Sequence, residues 1–238
     1  MFRPAIVLIL SVASASIALA AGDPEAACQK GRVSAAARFA ACEQKAASVV
    51  VATGDHDKLS AAVGKCRVKY QAAWAKLWTQ ALGTGSSCDT DRFVEVAGTT
   101  VVDNLTGLQW EMKTDDGGVH DKDDFYDWSA TSMTSPAADG AVFTTFLATL
   151  NGGCFAGQCD WRLPTRGELE TILSQGYPCA ENPCIPPGFG PTNGSLYWAS
   201  TNVPGLPRFA WTVHFGTGYV FYNYTHQTSM VRAVRGGL

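Results

Sequence analysis

Apolar residues along the chain change period after residue 82. From residue 22 to 82, Cys28, Ala35, Cys42 and Val49 recur every seven positions, with Phe39 and Ala46 interleaved at four. That is one apolar face of an amphipathic helix. A second series, Leu59, Val63, Cys66, Tyr70, Ala73 and Leu77, comes after Gly54-Asp55. Glycine suits the position just past a helix end and aspartate the N-cap of the next helix. The pattern therefore predicts an antiparallel helical hairpin over 22–82, with Trp74 and Trp78 docking it onto the rest of the chain.

Residues 83–90 read as a linker, and beyond them the period shortens to two. Apolar and polar positions alternate around Ala97-Gly98, which predicts a β-hairpin, and Asn104-Leu105-Thr106-Gly107 predicts a second turn. Helical spacing returns over 139–150. It returns again over 166–173, where Thr165 and Glu168 stand at the ends of a capping box. Strands are expected at 196–201, 209–215, 219–224 and 230–235. Residues 91–238 thus form one α+β domain, joined by the linker to the helical hairpin.

Composition narrows the class. The chain is 46% hydrophobic with a mean hydropathy of +0.00, which excludes disorder and a polytopic membrane protein. A net charge of −3 argues against nucleic acid as a partner. Arg3, the apolar run 5–10 and Ala18-Leu19-Ala20 have the form of a cleaved export signal over 1–21. No membrane span is expected after cleavage. The expected location is the periplasm, the cell surface or outside the cell.

All eight cysteines lie after the signal, and an even number in an exported chain reads as disulfides. Cys42 lies twelve residues before Gly54 and Cys66 twelve after. Both therefore stand about 18 Å from the turn. Cys42–Cys66 should bridge the hairpin and Cys28–Cys88 tie its open end, contributing roughly 3.5 and 4 kcal/mol. Cys154–Cys159 and Cys179–Cys184 should close short loops.

The later region carries a succession of phrases. They are Asp103-Asn104-x-Thr106-Gly107-Leu108-x-Trp110, Asp127-Trp128, Asp160-Trp161-Arg162-Leu163-Pro164-Thr165 with Glu168-Leu169, Tyr197-Trp198-x-Ser200, Ala210-Trp211 and Val231-Arg232-x-Val234-Arg235-Gly236-Gly237. In this order they resemble the C-terminal domain family of the Legionella collagen-like adhesins, over residues 91–238. The resemblance implies a C-type-lectin-like fold in which the first and last strands pair. It also implies adhesion, the founding adhesin being associated with sulfated glycosaminoglycans. An anionic ligand fits a mature charge of −4 only if Arg162, Arg166, Arg208, Arg232 and Arg235 cluster. The fold is related to that of formylglycine-generating enzymes, whose late active-site cysteines have no counterpart after Cys184. With no nucleophile–base pair evident either, no enzyme is expected.

The expected function is a binding module for a glycan or an envelope or surface protein; a structural part of the envelope or a filament is the alternative. Aromatic residues crowd both faces of the late strands. Trp198, Trp211, Tyr222 and Tyr224 are the expected ligand platform. Within the acidic run 115–124, Asp121, Asp123 and Asp124 are the expected ligands of a structural Ca²⁺, the sole cofactor the sequence admits. Arg162, a charge in an apolar run, is expected to meet a buried carboxylate.

Overall fold

A computed structural model describes residues 23–86, 88, 91–131, 137–174 and 177–237, with the backbone alone for 49–53. The export signal at 1–21 and the side chain of Val49 lie outside the described residues. Helix α1 spans Pro24–Thr53 and α2 spans His56–Ala81. Gly54 turns between them at φ +65°, and the Asp55 carboxylate caps α2 by accepting from the Lys58 N–H at 2.9 Å. The seam is buried from Cys28 to Ala46 on α1 and from Leu59 to Trp74 on α2. The disulfides Cys42–Cys66 and Cys28–Cys88 cross it as the spacing requires. Trp74 is buried in a cluster that the hairpin shares with Cys88 and with Leu105 of the C-terminal domain, whereas Trp78 is exposed.

Small and polar residues of α2 also dock the hairpin. Ser60, Gly64, Arg67 and Gln71 recur at helical spacing on one face. The Ser60 hydroxyl accepts from the Val220 N–H at 3.0 Å and lies 3.4 Å from the Val220 carbonyl. It thus satisfies an edge strand that would otherwise be open. Gly64 lets the helix pass the Tyr177 backbone, which a Cβ would meet at 3.1 Å. Gln71 donates to the Leu173 and Ser174 carbonyls. Ala46, Leu59 and Val63 join Leu169, Leu173, Trp211 and Val220 in one apolar core, so the hairpin shares its interior with the C-terminal domain.

That domain is built from β1 (Phe93–Val96), β2 (Thr100–Asp103), β3 (Leu108–Glu111), β4 (Tyr126–Asp127), α3, α4 (Arg166–Thr171), β5 (Leu196–Val203), β6 (Leu206–His214), β7 (Tyr219–Tyr224), β8 (Thr228–Ser229) and β9 (Val234–Gly236). In α3, π-helical Val142–Leu147 runs into α-helical Ala148–Gly152, in place of the single α-helix expected. Three antiparallel sheets result: β1-β2-β3-β9, β4-β8 and β5-β6-β7. This is the mixed α+β architecture expected. The last strand pairs with β3, through Trp110 opposite Val234, and not with the first strand. The reason is burial: β3 places Leu108 and Trp110 in the core, while β1 is largely exposed.

The β1–β2 turn holds Ala97 at φ +53° and Gly98 at φ +67°. The capping box forms: Thr165 Oγ1 accepts from the Glu168 N–H at 3.2 Å, and Glu168 Oε2 accepts from the Thr165 N–H at 2.7 Å. Arg162 makes a two-pronged pair with the same Glu168, at 2.8 and 2.7 Å. Its partner is a partly exposed carboxylate, not a buried one. The remaining disulfides are Cys154–Cys159 and Cys179–Cys184, and no free cysteine occurs among the described residues. No helix among them is long and apolar enough to cross a membrane.

Candidate functional site: the seam cleft and its aromatic strip

Where the hairpin meets the start of α4 and the far ends of β5 and β6, a cleft of about 350 Å³ opens. Its lining includes Glu43 from α1, Arg166 and Gly167 from α4, Thr201 and Asn202 from β5, and Trp211 from β6. The capping box sets where α4 begins and so presents Arg166, whose guanidinium lies 5.1 Å over the Trp211 ring. Gly167 leaves room for the Glu43 carboxyl, which a Cβ there would force to shift.

Two carboxyl groups meet behind this wall. Burial and the neighbouring Glu170 raise Glu43 to a pKa of about 9, against the opposing pull of Arg166 and Arg67. Burial also raises Glu170, which is fully buried and lies 3.2 Å from Arg166 Nε. Glu43 therefore keeps its proton at neutral pH. Glu170 has no solvent access, whereas Glu43 reaches the lining of the cleft.

From Trp211 a strip of rings runs outward on the same face of the sheet. Tyr222 is next at 5.9 Å between centroids, then Phe209 at 4.9 Å from Tyr222, and Tyr224 at 4.2 Å from Phe209. Register explains the alignment: Trp211 stands opposite Tyr222, and Phe209 opposite Tyr224. His56, at the start of α2, packs 4.6 Å from Tyr222 and 5.1 Å from Phe221. Burial lowers its pKa, so the imidazole is neutral at pH 7. Tyr224 is 39% and Phe221 36% exposed, whereas Phe209 and Tyr222 are half-buried.

The four expected platform residues thus separate. Tyr222 and Tyr224 lie on the strip, and Trp211 forms its inner end. Trp198 does not belong to it. Its alternating position sends it to the opposite face, where it is fully buried with Trp128, Phe146 and Trp161 and donates to the Tyr126 carbonyl at 2.8 Å. Four of the five arginines are already engaged within the fold. Arg162 pairs with Glu168, Arg235 with Asp160 and Arg166 with Glu170, and Arg232 is wholly buried against the Glu111 and Phe189 carbonyls.

In the acidic loop, carboxylate oxygens of Asp115, Asp121 and Asp123 lie within 4.8 Å of one another. Asp124 is turned away and accepts from the Tyr126 hydroxyl at 3.2 Å. Asp115 takes the place expected for Asp124, because the loop folds back on itself. The Lys122 ammonium sits between Asp115, at 3.1 Å, and Asp123. Asp121 accepts the Gly117 and Asp123 N–H groups, which hold its carboxyl below the usual range. The oxygen donors suit Ca²⁺. Lys122 reaches two of the three, however, and offsets part of their charge, and no ion is assigned to the loop.

Beneath the loop, Glu111 is fully buried. Burial works to raise its carboxyl, but Lys113, His120 and the Ala233 N–H outweigh it and hold the group below the usual range. Sequence reasoning missed Glu43, Glu170, Arg67 and His56 as parts of the seam. The helical recurrence of Ser60, Gly64, Arg67 and Gln71 was the one available signal of a second packing face.

No curated protein matches the chain. The family described as the Lcl C-terminal domain matches residues 99–235, more than half of the sequence. The match covers the late strands, the acidic loop and every ring of the strip, and leaves out the helical hairpin. On that evidence the chain belongs to the Lcl C-terminal domain family.

Proposed function

We propose that the protein is an exported, non-catalytic binding module of the periplasm or cell surface, adhesin-like, which recognises a glycan through the aromatic strip and the adjoining cleft. The observation that carries this reading is the continuity of the strip. Rings on one sheet face lead from exposed Tyr224 to Trp211 on the wall of a cleft with Asn202, Thr201 and Arg166 beside it. Amphipathic rings with a few fixed polar groups suit a sugar, whose faces are apolar and whose rim carries hydroxyls. The four disulfides fit an oxidising compartment outside the cytoplasm.

The test is a glycan array with the mature protein, with Ca²⁺ and with chelator. Binding should be specific and should fall at least about tenfold, ~1.4 kcal/mol, in Tyr222→Ala and Tyr224→Ala. No binding in either condition, or binding that both variants retain in full, would overturn the glycan reading.

A further inference from the structure

The chain is electrically divided. Residues 22–82 carry nine basic and five acidic side chains, and residues 83–238 carry eight and sixteen. On α1, Ala36, Ala40, Glu43 and Ala47 face the C-terminal domain, while Arg38, Cys42 and Lys45 face the other way. That outward side is a trough of about 410 Å³ walled by Lys45, Lys58, Lys65 and Lys69 and floored by alanines and the Cys42–Cys66 bridge. A second hollow of about 200 Å³, bounded by Arg38, shares Cys42, Cys66 and Lys69 with it and extends it along the hairpin. No carboxylate lines either one. Among the described residues, Lys45, Lys65 and Lys69 have no carboxylate partner, and Lys58 pairs with Asp55 at the tip.

The matching surface is on the same chain. Asp115 and Asp116 head a turn whose tip is Gly117-Gly118, and a Cβ on Gly117 would meet nothing within 4 Å, so the tip projects. It carries no side chains except carboxylates: Asp115 stays 62% exposed although Lys122 reaches it at 3.1 Å, and Asp116 is exposed with no ion-pair partner among the described residues. The turn is also fixed in advance. Gly118 N–H donates to Asp116 at 2.8 Å, Gly117 N–H to Asp121 at 2.7 Å, and the Thr114 hydroxyl to Asp116 at 2.9 Å. A narrow, rigid acidic projection fits a basic trough with little ordering cost.

We propose that the protein associates head to tail, the acidic turn at 115–118 of one copy seated in the lysine trough of the next copy's hairpin. The contact is heterologous, so each end of a chain of molecules keeps one surface free and growth is open-ended. A second copy is favoured over a foreign polyanion because it brings the complementary surface already folded, whereas a flexible polymer would lose conformational freedom on seating. The trough and the turn are separate from the aromatic strip, so this proposal and the glycan reading fail independently.

Sedimentation velocity of the mature protein at low and high salt tests it. Association should grow with concentration at about 20 mM salt and disappear by about 0.5 M, where exposed charges are screened within a few ångströms. Lys65→Glu/Lys69→Glu should weaken it at least about tenfold, and so should Asp115→Asn/Asp116→Asn, in which asparagine keeps the acceptor that holds the turn. Each double variant retains one working surface, so their equimolar mixture should give a 1:1 dimer and nothing larger. Tyr222→Ala should associate as the unaltered protein does, and circular dichroism confirms folding of each variant. A monomer at low salt, association that survives high salt, or a mixture without a discrete dimer would overturn the proposal. So would a monomer that binds dextran sulfate or phosphatidylglycerol vesicles through Lys65 and Lys69, which would give the trough to a foreign partner.

Discussion

Between the two helices of the hairpin, the buried α1 side chains are mostly small, Cys28, Ala35 and Ala46, with Phe39 stacked 4.6 Å from Tyr70 as the main ring contact. In the C-terminal domain the fully buried side chains are large, among them Trp110, Trp198, Tyr197, Phe146, Phe189 and Phe215, together with the charged Arg232. The hairpin has long regular helices and little area to bury, so two disulfides and a docking face hold it. The domain has short strands and long loops, and a dense aromatic interior holds it. Regular backbone and a large core are therefore separate sources of stability, and this chain assigns one to each region.

Three changes would break or sharpen that comparison. The largest effect is expected in the domain core: Trp198→Ala should cost about 3–5 kcal/mol and lower the thermal midpoint of the whole chain. Since hairpin and domain share one core, calorimetry should show a single transition moving down; a hairpin transition left in place would uncouple the two regions. Next comes the open end of the hairpin. Replacing both Cys28 and Cys88 by alanine should cost about 2–4 kcal/mol, measured by denaturant unfolding, since the bridge closes a separation of 60 residues. An unchanged midpoint would mean that docking alone holds the helices.

The third and smallest change lies at the seam itself. Glu43 titrates near 9 when folded and near the ordinary carboxylate value when unfolded. Between those values the folded chain holds a proton that the unfolded chain has released. This stability is present below the ordinary carboxylate value and is lost as pH rises towards 9. Glu43→Gln keeps the shape and removes that titration. It should flatten the fall in thermal midpoint between pH 5 and 9 and leave the protein about 1–3 kcal/mol more stable at pH 8. Some slope remains, because burial also raises Glu170. A variant as pH-sensitive as the parent would show that Glu43 is ionised in the fold.

The legible parts of the candidate site were those fixed by register. Tyr222 and Tyr224 share a face because they are two residues apart in one strand, and the structure keeps that relation. Which face is outside is not a property of the strand. Trp198 and Tyr224 are both aromatic residues of strands, yet one packs under α3 and the other reaches solvent. The same holds for the carboxylates: Asp115 replaced Asp124 in the cluster through the path of a loop, which has no period to read.

Sequence by itself determined the helical hairpin, the Gly54-Asp55 turn, the four disulfide pairs, the Thr165–Glu168 capping box and the three late strands. Most are set by spacing along the chain, where neighbours a few residues apart meet whatever the rest does. The two long-range bridges, 24 and 60 residues in separation, follow from the hairpin that the spacing dictates. Tertiary structure alone decided that Ser60 would close the edge at Val220, that Glu43 would meet Glu170, that Arg232 would be buried, and that β9 would join β3. Ser60 and Val220 lie 160 residues apart, and Glu111 and Arg232 lie 121 apart. Residues that distant are brought together by the packing of whole elements, and burial there sets both the protonation of the carboxyls and which aromatic rings are left to meet a partner.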